Sequence, residues 1–297
     1  MTFPVSPSPP DPTLITRPTR MRLAVHVGLF AATALTTTTA GAFWEGLDPI
    51  ADPRLLLRGV PFSATLLAIL LVHEAGHYLM CRRHGVQASL PYFLPAPPQI
   101  FPLGTFGAFI RIRSRFPHRG ALFDIGAAGP WAGFVIALAA TIVGLHRSIV
   151  LPTPPATHVI ELGDSFLTAL LTRVVLHADP ATVMLHPIAF AGWFGLFVTS
   201  INLLPVGQLD GGHVLYATSG RTRLVPALLI GFLVWLGLRG WVGWLVWALI
   251  MTTLLALGHP PTENDLRPLD ARRRIASWAT FAVFVLTFVA EPFRILP

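Results

Sequence analysis

An apolar run long enough to cross a bilayer can carry strongly polar groups only where protein or water surrounds them. Residues 60–80 form such a run, and His73-Glu74-Ala75-Gly76-His77 stands inside it. If the run is helical, positions i and i+4 lie one above the other on a single face. His73 and His77 can then share one metal ion, with Glu74 beside them to take a proton from water. The plain alternative is three polar residues hydrogen-bonded to neighbours at a helix end. Burying all three in an apolar segment without a purpose would be costly, which favours the metal.

Composition agrees with a membrane setting. Charged residues make up 12% of the 297-residue chain and hydrophobic ones 53%, against about 25% charged in ordinary soluble domains. A soluble zinc protease is therefore the wrong picture. The formal net charge of +7 comes from 21 basic residues, all of them arginine. On a membrane protein such an excess is a topology signal, and no basic run interleaved with aromatics points to nucleic acid. Cys81 is the single cysteine, so a metal must be held by nitrogen and oxygen donors.

Residues 1–22, rich in Pro, Ser and Thr, read as a disordered tail. A first span (23–43) and loop (to 59) follow, then the second span, stopped by Arg82, Arg83 and His84. Five prolines between 86 and 104 exclude a continuous helix. Beyond them the alternation of Phe109, Arg111, Arg113 and Arg115 with Ile110, Ile112 and Ser114 predicts a strand over 105–115. At membrane depth such a strand must pair within a hairpin or sheet, and its outer edge could accept a guest strand. A basic surface hairpin without a substrate role is the alternative.

The third span is expected over 121–145, with Gly129 and Gly133 allowing close approach of a neighbouring helix, that of the two histidines. Pro130 suggests a kink or helix start, and Asp124 is expected to cap the helix rather than bind metal. Residues 166–175 fit one amphipathic face, predicting an interfacial helix. His158, His177 and His186 have no carboxylate at ligand spacing and read as surface residues.

A fourth span (184–204) leads into Asn202-Leu203-Leu204-Pro205-Val206-Gly207-Gln208-Leu209-Asp210-Gly211-Gly212-His213. Proline and glycines break the helix where a carboxylate appears, and irregular backbone at that depth belongs in a protein-lined or wet cavity. Asp210 can supply the third protein ligand that a two-histidine site lacks, leaving a fourth position for water. His213 and Gln208 are candidates for supporting or substrate-contacting roles. An exposed loop carboxylate is the alternative for Asp210.

Apolar segments at 224–238, 241–257 and 275–290 complete the pattern. The expected architecture is an all-α polytopic membrane protein of about six or seven transmembrane helices, with a small β-hairpin or sheet insertion between the second and third spans. Residues 60–215 form the core and 216–297 the C-terminal helices. The arginine distribution puts the amino terminus, the HExxH segment and Asp210 on the cytoplasmic side.

His73–His77 followed by Asn202-Leu203-Leu204-Pro205-Val206-Gly207-Gln208-Leu209-Asp210-Gly211 resembles the paired HExxH and NxxPxxxLDG motifs of the site-2 protease family of intramembrane zinc metalloproteases. PLGTFGAFIRIRSRFPHRGALFDIGAAGP and HPIAFAGWFG are similar to the branch typified by the EGY proteins. No insert is long enough for a PDZ domain or a CBS pair. The resemblance implies one Zn2+ per chain held by His73, His77 and Asp210, Glu74 as general base, and Asn202 at the substrate or developing oxyanion. Thr105, Phe106, Gly107, Ala108 and Phe109 would template an extended substrate. The expected partners are a membrane-anchored protein substrate and the lipid bilayer of a bacterial cytoplasmic membrane. A catalytically silent zinc-binding membrane protein or a metal transporter is the alternative. Retention of Glu74 argues against the first, and the lack of an internal repeat against the second.

Overall fold

The computed structural model describes residues 20–152 and 160–295. The expected tail up to Thr19 and His158 lie outside those residues. Nine α-helices dominate the described residues: α1 (Arg20–Trp44), α2 (Val60–Arg83), α3 (Arg119–Leu145), α4 (Phe166–Leu176), α5 (Pro187–Asn202), α6 (Asp210–Ser219), α7 (Leu224–Arg239), α8 (Gly243–Leu257) and α9 (Ala271–Thr287). Six short strands pair off as β1 (Tyr92–Pro95) with β2 (Thr105–Phe109), β3 (Ile149–Val150) with β5 (Val183–Met184), and β4 (Ile160–Leu162) with β6 (Phe293–Ile295). The last two sheets escape sequence reading because runs of two or three residues show no periodicity.

Among the described residues, three helices are long and apolar enough to cross a membrane: Leu23–Trp44, Pro53–Arg83 (α2 with the 3-10 turn before it) and Arg119–Leu145. α4, α5, α7 and α8 are apolar but shorter, below the roughly 20 residues of a full span. The expected fourth span falls short for a visible reason. Its helix stops at Asn202, and the chain resumes a helix only at Asp210.

α2 packs on α3 and α5, and α3 also carries α6. Phe62, Leu66, Trp193 and Phe194 fill the space between α2 and α5, while Leu122, Ile125, Val214 and Tyr216 bury the join of α3 and α6. Cys81 is buried and free within the second of these clusters.

The hairpin β1–β2 is antiparallel, with a register shift between Leu94 and Pro95. It is strapped along α1. His26 Nδ1 bonds the Pro91 carbonyl at 2.9 Å, Thr36 donates to the Gly104 carbonyl at 2.6 Å, and Trp44 Nε1 donates to the Pro102 carbonyl at 2.9 Å. The ladder is shorter than the strand expected over 105–115, ending at Phe109. Beyond it only an isolated bridge joins Ala88 to Ile112, because Arg111 N bonds the Ser89 hydroxyl instead of a strand carbonyl.

Asp124 is not the cap of α3. His118 caps it, its ring accepting from Ala121 N at 3.0 Å, and the helix starts at Arg119. Asp124 therefore sits in the second turn, where its carboxylate takes Arg273 Nε at 2.8 Å, Arg273 Nη2 at 2.6 Å and His84 Nε2 at 2.9 Å. Starting the helix six residues before the position that an Asp124 cap would set frees the carboxylate for this inter-helical pairing. Pro130 lies inside α3 without starting a new helix.

Candidate metal centre

His73, Glu74 and His77 are buried on α2, and the helix sets the two imidazoles on successive turns. Their Nε2 atoms lie 3.1 Å apart. Asp210 Oδ2 is 3.3 Å from His73 Nε2 and 3.3 Å from His77 Nε2. A tetrahedral zinc with N and O ligands at about 2.0–2.2 Å holds its donor atoms roughly 3.3 Å from one another. Three donors at that edge length, two neutral nitrogens and one carboxylate, fit such an ion.

Each ligating side chain is set by the fold around it. His77 Nδ1 lies 2.7 Å from the Ile125 carbonyl of α3. A carbonyl only accepts, so Nδ1 carries the proton and Nε2 presents its lone pair towards Asp210. α3 can run this close because its small residues face α2. A β-carbon at Gly129 would stand 2.1 Å from His77 Nε2. Asp210 opens α6, which continues beyond the break along α3, the helix that α5 also packs on. A β-carbon on Gly211 would meet the Leu203 carbonyl oxygen at 2.0 Å. The break at 203–209 is what lets the carboxylate turn onto α2.

Asn202, the last residue of α5, directs Nδ2 towards His73 Nε2 at 3.4 Å. β2 contacts α2, the helix that carries Glu74. The residues expected to hold an extended chain, Thr105 to Phe109, thus form a strand beside the helix of Glu74, with Phe106 and Phe109 exposed. His213 does not reach into this group as a donor. Its Nδ1 pairs with His259 Nε2 at 2.7 Å. Gln208 is exposed. His177 is exposed at the end of α4, and His186 caps α5 by accepting from Ile188 N at 3.2 Å.

Sequence reasoning missed the loop between α8 and α9. His259 stacks on Tyr216 with ring centroids 4.2 Å apart, and Tyr216 donates to Asp265 at 2.6 Å. Glu263 N and Asn264 N donate to the carbonyls of Phe116 and Pro117 at 2.9 and 3.0 Å. This loop closes over α6 beside the centre. No spacing ties residues 259–265 to either motif, so no local signal could have found them.

The family model "Peptidase family M50" matches residues 61–230. "Probable zinc metalloprotease EGY1, chloroplastic" of Oryza sativa subsp. japonica is 35% identical over 258 residues, covering 81% of this chain and 43% of that protein. The Arabidopsis thaliana protein of the same name is 35% identical over 82% of this chain and 44% of its own length. "Probable zinc metallopeptidase EGY3, chloroplastic" of Arabidopsis thaliana is 29% identical over 85% of this chain and 47% of its own. The chain thus spans less than half the length of these relatives. The matched segment contains α2, α3, α5 and α6, all the elements that bring His73, His77 and Asp210 together, and on it the chain belongs to peptidase family M50, in the branch that the EGY proteins represent.

Proposed function

We propose that this protein is an intramembrane zinc metalloendopeptidase that cuts a membrane-anchored client in or near its transmembrane segment. The observation that carries the reading is the meeting of His73 Nε2, His77 Nε2 and Asp210 Oδ2 at tetrahedral edge lengths, with Glu74 beside the two histidines on α2. When bound, zinc supplies a Lewis acid that polarises the scissile carbonyl and makes water nucleophilic near neutral pH.

The chain's residues do the rest. His73, His77 and Asp210 are the three protein ligands. Glu74 accepts the proton from attacking water and hands it to the leaving nitrogen. The Asn202 amide, aimed at the same point, donates to the oxyanion as it develops. The outer edge of β2 takes the client as an added strand, unwinding its helix so that a carbonyl comes before Glu74. Burial of the centre keeps bulk water from competing for these groups.

The proposed topology has seven crossings, by α1, α2, α3, the broken pair α5–α6, α7, α8 and α9, a count that leaves α4 lying along the surface. The ends of α2, α6 and α8 and the starts of α3 and α9 then share one face, rich in arginine, which is assigned to the side holding the amino terminus and reads as cytoplasmic. The relatives named above are chloroplastic, so a bacterial membrane has no counterpart among them.

The test is cleavage of a membrane-anchored reporter by the wild type and by Glu74→Gln, with zinc content measured on both. Cutting by the wild type alone, at equal zinc, is expected. Equal processing by both forms would overturn the reading.

A further inference from the structure

Arg111, Arg113 and Arg115 are exposed, while Ile110, Ile112 and Ser114 between them are half-buried. The three arginines thus share one side of the segment leaving β2, about 6–7 Å apart at strand rise. Ion pairs elsewhere neutralise arginines that tie elements together, as Arg273 is held by Asp124 and Arg58 by Glu45. None of the ion pairs among the described residues involves Arg111, Arg113 or Arg115. Arg82 and Arg83, at the end of α2, are likewise exposed and absent from those pairs.

The backbone gives this row of charges a direction. The Arg111 carbonyl accepts from Ser89 N at 3.0 Å, and Arg113 N donates to the Gln87 carbonyl at 2.8 Å. These groups face the partner segment 87–89, so those of Ile112 face the opposite edge. β2, which leads into this edge, contacts α2, the helix that carries Glu74. A chain laid on that edge would pass Glu74 and then run along the arginines.

We propose that Arg111, Arg113 and Arg115 select clients by charge: the preferred client carries acidic side chains at alternate positions in the extended flank that lies along this row. This rests on the protease reading above. The selection works in both directions. An ordinary membrane segment carries Lys and Arg on its cytoplasmic flank, and these would be repelled by the row. An acidic flank would be drawn in, so discrimination comes from an unfavourable contact as well as a favourable one. Exposed charges are screened over about 8–10 Å at moderate salt, so the preference should weaken as ionic strength rises.

The experiment uses the full chain in zwitterionic vesicles, and in parallel in vesicles with graded anionic lipid, with three reporters that differ only in flank charge: acidic, neutral or basic. For the wild type at low salt, the acidic reporter should be cut about tenfold faster than the basic one, the neutral one falling between. In the variant Arg111→Glu/Arg113→Glu/Arg115→Glu the order should invert. Fluorescence anisotropy of the same reporters on the Glu74→Gln form should rank affinities in the wild-type order. Should the triple variant not fold, Arg113→Gln together with a salt titration of the wild type reads the same preference.

Equal rates for all three reporters would overturn the proposal, as would an order unchanged by charge reversal. It would also be overturned if activity followed the anionic lipid content of the vesicles regardless of reporter, which would make the row a lipid-binding one. Ranked binding without any cleavage would overturn the protease reading and leave the charge preference standing.

Discussion

Gly129 of α3 faces His77 of α2 with no room for a side chain: a β-carbon there would lie 2.1 Å from Nε2, the nitrogen turned towards Asp210. Gly129→Ala is expected to displace the imidazole and cut bound zinc from about one per chain to near zero. Gly28→Ala is the control, because nothing lies within 4 Å of a β-carbon at that helical position. That substitution should keep zinc and stabilise α1 slightly, by up to about 1 kcal/mol. Elemental analysis of the two purified variants separates the outcomes.

Removing a ligand and removing the base should have different signatures. Asp210→Ala leaves two histidines, and its zinc should dissociate at chelator concentrations that spare the wild type. Glu74→Gln keeps all three donors and should match the wild type in chelator resistance while losing cleavage. Chelated wild type should recover on adding zinc, whereas Glu74→Gln should not.

The Asp124–Arg273 pair ties α3 to α9 by two hydrogen bonds between charged groups. Such bonds contribute about 1.5–3 kcal/mol each when well shielded, and less here because the Arg273 side chain is 35% exposed. Asp124→Ala is expected to destabilise the protein by roughly 1–3 kcal/mol. A double-mutant cycle with Arg273→Ala should return a coupling of about 1–2 kcal/mol in detergent melts. Zinc content at moderate temperature should be unchanged, since neither residue touches the centre.

The α8–α9 loop should loosen in acid. Burial alone would push the Asp265 carboxyl up, but hydrogen bonds from Thr262 and Tyr216 outweigh it and hold it below the usual carboxylate range. A carboxyl depressed in the folded state contributes its stability above its unfolded value, near 4, and loses it as pH falls through the folded value. Amide protection at Thr262, whose N–H donates to Asp265 at 3.2 Å, should therefore be constant from neutral pH to about 5 and decline below about 4. Tyr216→Phe removes one of the bonds and should move that decline to higher pH. Hydrogen exchange, normalised to intrinsic rates, reads both.

Much of the architecture is legible locally. The amphipathic face from 166 predicts α4, which begins at Phe166, and the apolar segments 224–238 and 241–257 predict α7 and α8, which run Leu224–Arg239 and Gly243–Leu257. Hydropathy and helical period are properties of short windows, so such elements show without knowledge of the fold. The same holds for His73 and His77, whose shared face follows from a four-residue spacing on any helix.

Other features belong to contacts between distant segments. Asp124 looked like a cap because a lone carboxylate near a helix start usually is one. Only the approach of α9 reveals Arg273 as its partner. His259 carries no pattern that points to His213, and strands as short as β3 to β6 are recognisable only once paired. By itself the amino-acid order determined which residues could form helices at membrane depth and which polar groups would be costly there. Tertiary structure alone decided that Asp210 turns onto α2, because that depends on the break at 203–209, on Gly211 packing against Leu203 and on Gly129 clearing space for an imidazole. Close approach of backbones is a property of packed surfaces, and no linear pattern contains it.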